Sequence, residues 1–104
     1  SSSVFKTDKL KTCYQNEYSS TMCILDSYRY YHDILSQKLV SLAEKNPTVN
    51  ENIDIIDKEI NQICLTFPPP VYLDELDDFT HRITKCLVDQ MKQKIDKLDE
   101  ELDK

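Results

Sequence analysis

The apolar positions in the last third of the chain are Leu76, Phe79, Ile83, Leu87, Met91, Ile95, Leu98 and Leu102. Steps of three and four keep them on one side of a helix. They predict a helix from about Val71 to Lys104, free of Gly and Pro and set off by Pro68-Pro69-Pro70. At about 1.5 Å per residue it would run roughly 45 Å. An earlier stretch, Met22 to about Glu44, carries Ile24, Leu25, Tyr28, Tyr31, Leu35, Leu39 and Leu42 at the same period. Asn46-Pro47 stops it, because Pro lacks the amide donor and restricts the residue before it. Between these two, Ile53, Ile56, Ile60, Ile63 and Phe67 line a shorter helix from about Val49 to Cys64. Thr48 and Glu51 have the spacing of a capping box at its start.

Upstream, Leu10, Cys13, Tyr14 and Tyr18 also recur at helical spacing, with Thr7 or Asp8 as the cap and residues 1–7 frayed. Ser19-Ser20-Thr21 is compatible with a kink or with an unbroken helix. The fold class is therefore all-α, a three- or four-helix bundle with a long C-terminal helix, in one domain spanning residues 1–104. Leu25, Leu35, Ile56, Ile60, Phe79 and Ile83 are the expected core. The short link at Pro47 makes the helices on either side antiparallel neighbours.

Val88, Met91, Ile95, Leu98 and Leu102 satisfy a heptad seam on a charged surface. The four-residue steps before Met91 make the stripe drift. The middle helix is too short to cover the last one. The seam is therefore expected to contact another chain, with residues 92–104 projecting, or the first long helix through Leu35, Leu39 and Leu42, with fraying of the terminal turns as the third alternative. Self-association is one form of the first alternative.

Composition narrows the function classes. The chain of 104 residues has no Gly, which argues against Gly-based phosphate loops and nucleophile elbows. Its net charge of −6 disfavours nucleic acid and anionic membranes. No apolar run reaches the roughly 20 residues of a membrane span. A secreted form would already have lost its leader.

Four cysteines, Cys13, Cys23, Cys64 and Cys86, suit two disulfides in an oxidising compartment, with reduced core thiols as the alternative. Their pairing is open. Nine residues separate Cys13 from Cys23, a spacing similar to half of the paired-helix cysteine motif of small mitochondrial intermembrane-space proteins. Cys64 and Cys86, with twenty-one residues between them, depart from it. The resemblance to short helical cytokines is confined to an acidic, disulfide-containing bundle, and no cytokine motif is present.

Catalytic signals are absent. His32 and His81 lack the paired spacing of a helical metal site, and no close Cys pair suggests zinc. Nothing in the spacing selects Cys23 and His32 as a thiol–imidazole pair. The carboxylates Asp74, Glu75, Asp77 and Asp78 suit a helix start facing the positive end of its dipole. No cofactor or metal is expected. In Tyr28-Arg29-Tyr30-Tyr31-His32, helical geometry turns Arg29 and Tyr30 away from the stripe, and Tyr and Arg are frequent binding anchors. The chain is expected to be a non-enzymatic helical protein-interaction domain, secreted or at a cell surface, binding another protein through Arg29, Tyr30, Val88, Met91, Ile95, Leu98 and Leu102. The alternative is an intracellular structural subunit of a helical or coiled-coil assembly.

Overall fold

The computed structural model describes residues 21–104 and is all-α over them. Helix α1 is described over Thr21–Lys45, α2 over Ile53–Cys64, and α3 over Leu76–Leu102 after a 3-10 turn at Leu73–Glu75. The Ser19-Ser20 break, the capping of the first turn and the stripe from Leu10 to Tyr18 lie outside the described residues.

The two long helices run parallel. Tyr31 meets Lys92, Lys38 meets Asp99, and Lys45 meets Leu102, so partner numbers rise together. Parallel neighbours need a return segment, and α2 supplies it. It runs antiparallel to α3, tied by Glu51–Lys94 at its start and Cys64–Cys86 at its end. It also runs antiparallel to α1, as the Pro47 link predicts.

One cluster holds the three helices together. It comprises Tyr31, Leu35, Leu39 and Leu42 of α1, Ile56, Ile60 and Cys64 of α2, and Val88, Met91, Ile95 and Leu98 of α3. The α3 members, continued upward by buried Thr84, follow steps of four and three. That spacing keeps a straight seam along a parallel helix. Thr84 is tolerated there because its hydroxyl donates to the Thr80 carbonyl at 2.8 Å. Buried Ser27 does the same to the Cys23 carbonyl, the local bond that hydroxyl side chains make inside helices.

Several expectations need correction. Phe79 and Ile83 are half-buried rather than core, because the seam above Met91 passes through Val88 and Thr84. Leu25 is also half-buried. On α2 the buried positions step from Ile56 to Ile60 to Cys64, leaving Ile63 exposed. The bond from Cys64 to α3 fixes which side of α2 faces inward. Thr48 does not cap α2. Its hydroxyl donates to Asn46 Oδ1 at 2.7 Å, inside a turn closed by the Val49 amide and the Asn46 carbonyl. Asn before Pro is a common start for such a turn. Asn52 caps α2 instead, its Oδ1 accepting from the Ile55 amide at 3.1 Å. A cap of this kind contributes about 1 kcal/mol. Glu51 is released from the capping box and reaches across to Lys94 at 2.8 Å.

The C-terminal segment does not project. Ile95 and Leu98 are buried and Leu102 is half-buried. The Lys45 ammonium donates to the Leu102 and Lys104 carbonyls at 2.5 and 2.7 Å. A cation there satisfies exposed carbonyls and opposes the negative end of the α3 dipole.

Candidate interaction surface

The heptad seam is occupied within the chain. Val88, Met91, Ile95 and Leu98 are each at most 2% exposed and lie in the cluster shared with α1 and α2. Of the two covers considered for it, the structure has the intramolecular one. The Lys38–Asp99 ion pair flanks the seam. Leu102 packs against the edge of the cluster.

Arg29 and Tyr30 lie on α1 rather than on the α3 seam, and Tyr30 packs against the edge of the shared cluster. Arg29 is exposed and lies 3.9 Å from Asp26, an i,i+3 pair of little energetic weight. Tyr30 is half-buried, its ring edge-on to Tyr31 at 5.2 Å. Sequence reading missed the role of His32. Its Nε2 lies 3.1 and 3.2 Å from the two Asp57 oxygens, and its ring stacks on Tyr28 at 5.7 Å. This joins α1 to α2. The neighbouring Asp33 instead accepts from Gln37 on its own helix.

Burial, and secondarily neighbouring Tyr30, push the Tyr31 phenol above its ordinary value. Burial, and secondarily Asp57, do the same for Tyr28. The folded chain therefore keeps protons that the unfolded chain gives up near pH 10. The stability this represents is intact below that pH and is lost as the pH rises through the raised folded values. A Tyr28→Phe/Tyr31→Phe variant is expected to show a flatter fall of the urea midpoint between about pH 9 and about pH 11 than the parent. Equal slopes would mean that these phenols ionise alike in both states.

Cys23 is disulfide-bonded, so no thiolate faces His32. No group of three metal-ligating side chains is present among the described residues. His81 Nε2 is enclosed with no hydrogen-bond partner among the described residues. An apolar recess of about 230 Å³ lies between Leu39, Val40, Ala43 and Ile53, and an open recess of about 440 Å³ lies between Phe67, Arg82, Cys86 and Gln90. No described helix is long and apolar enough to cross a membrane.

The three most exposed large apolar side chains among the described residues, Val71, Tyr72 and Leu73, lie at the corner between α2 and α3, with Leu76 beside them. Val71 is 83% exposed, Tyr72 67%, Leu73 90% and Leu76 48%. The corner is pinned below by the Cys64–Cys86 disulfide, whose Cα atoms are 5.8 Å apart. The Arg82 guanidinium over the Phe67 ring at 5.5 Å pins it again. Three prolines then hold the backbone extended. At the far end, extended Tyr72 accepts the Glu75 amide at 3.1 Å and leads into the 3-10 turn. Sequence periodicity assigned residues 71–73 to the long helix, which hid this corner. The available signal was the Val-Tyr-Leu triplet between three prolines and an acidic run.

No family model matches this chain, and no curated protein or solved structure matches it.

Proposed function

We propose that this chain is a non-enzymatic helical domain that binds another protein, in an extracellular or cell-surface setting. The observation that carries the reading is the apolar corner Val71–Leu76. Its large side chains stay in water although it is braced on both sides. Contiguous apolar exposure of this kind is characteristic of interaction sites. The Cys64–Cys86 disulfide suits an oxidising compartment. The seam that suggested helical assembly is used inside the chain, so the binding surface is sought at the corner and beside Arg29 and Tyr30.

The test begins with native protein isolated without reductant. Its expected mass is four hydrogens below that of the fully reduced chain, corresponding to two disulfides. Photo-crosslinking groups are then placed at Arg29 and Leu73, and any captured protein is purified and remixed with the chain. A stoichiometric complex is the expected result. Four free thiols in the native protein would overturn the extracellular setting. Failure of every purified candidate to rebind would overturn the interaction reading.

A further inference from the structure

We infer that the corner between α2 and α3 docks a basic amphipathic helix of a partner protein. The inference rests on the interaction reading above and names its surface and the chemistry of its ligand. Two independent features meet there. Val71, Tyr72, Leu73 and Leu76 give an apolar strip that the described residues leave exposed. Exposed Asp74, Glu75, Asp77 and Asp78 border it. None of these four carboxylates pairs with a described cation. Their position near the start of α3 accounts for negative charge, but it does not account for the bare apolar strip among them.

The chemistry selects the occupant. A second copy bound isologously would set four carboxylates against four. An anionic membrane meets the same repulsion. An added strand needs a sheet edge, and the described residues form no sheet. A helix with Leu-like residues at i, i+3 and i+4 and Lys or Arg beside them satisfies both features. Its apolar face covers Tyr72 and Leu73, while its cations meet the acidic border.

The test uses two fluorescein-labelled peptides of roughly 20 residues, long enough to form helices. Both carry the same Leu spacing, with Lys at the remaining positions in one and Glu in the other. Fluorescence anisotropy is read against the full chain. The Leu/Lys peptide is expected to bind, weakening with salt, and the Leu/Glu peptide is not. Tyr72→Ser/Leu73→Ser and Asp77→Asn/Asp78→Asn should each weaken binding about tenfold. Asp96→Asn/Glu100→Gln removes the same charge farther along α3 and should leave binding unchanged. Melting curves of Tyr72→Ser/Leu73→Ser should match the parent, since these side chains are exposed.

Equal weakening by both charge variants would reduce the interaction to bulk attraction and overturn the inference. So would binding that ignores the Tyr72/Leu73 change, a concentration-dependent dimer lost in that variant, or capture by phosphatidylserine vesicles lost in it. A rebinding partner found by crosslinking that tolerates both corner variants would leave the interaction reading standing and remove this surface from it.

Discussion

Ile95→Asp is expected to unfold the domain. Ile95 is fully buried in the cluster shared by all three described helices. A carboxylate there either ionises without hydration or stays protonated at the cost of a raised pKa. The same site also loses apolar burial and close packing. Truncation to Ala alone would cost about 2–5 kcal/mol, and a buried unpaired charge adds several more. A domain of this size has only about 5–15 kcal/mol in total. Far-UV circular dichroism should show the 222 nm minimum of the parent largely lost in the variant at about 25 °C. Leu73→Asp should leave it intact, because Leu73 is 90% exposed. A helical, monomeric Ile95→Asp protein would show that the seam is not the chain's own core and would restore it as a surface for another chain.

The outcome at Ile95 bears on what the sequence could reveal. Period alone identified the three described helices, since Gly is absent and Asn46-Pro47 and Pro68-Pro69-Pro70 punctuate the pattern. The heptad from Val88 to Leu102 was also visible, but its partner was not. A seam specifies that a helix packs, and the same spacing serves a neighbour in the same chain or in another. The parallel pairing of α1 with α3 depends on where α2 turns back. That placement is fixed by distant pairs such as Glu51–Lys94 and Cys64–Cys86, which period does not encode.

Other errors arose where local grammar met a tertiary constraint. Thr48 and Glu51 have capping-box spacing, yet Thr48 is engaged by Asn46 and Glu51 by Lys94, so Asn52 takes the cap. Val71, Tyr72 and Leu73 fit a helical run by composition. The prolines before them and the turn at Leu73–Glu75 keep them off it. The exposure of the corner was not legible, because an apolar residue reads as buried until the packing around it is known. Arg29 and Tyr30 were separable from the stripe by angle alone, and the half-buried position of Tyr30 shows that angle is graded rather than all-or-none.

Replacing Cys64 and Cys86 with Ala is expected to lower the melting temperature by about 15 °C. The bond closes a loop with a sequence separation of 22. Chain-entropy reasoning for a loop of that size gives about 3 kcal/mol at 25 °C. For a domain of roughly 100 residues, each kcal/mol moves the melting temperature by about 4–8 °C. Cys64 is fully buried, so the Ala there adds a small packing loss to the effect on the unfolded chain. The effect is also expected to be local. The bond joins the end of α2 to α3 just below the proline corner, where α2 has few other anchors. Amide exchange should accelerate most from Ile60 to Leu76 and least along Leu35–Leu42 and Met91–Leu98, which keep their shared core. Calorimetry gives the first quantity and exchange mass spectrometry the second. A variant that melts within a few degrees of the parent, with unchanged exchange at the corner, would show that helix packing alone holds α2 in place. A large drop with faster exchange confined to the corner would identify the disulfide as the element that keeps Val71–Leu76 presented on a fixed platform.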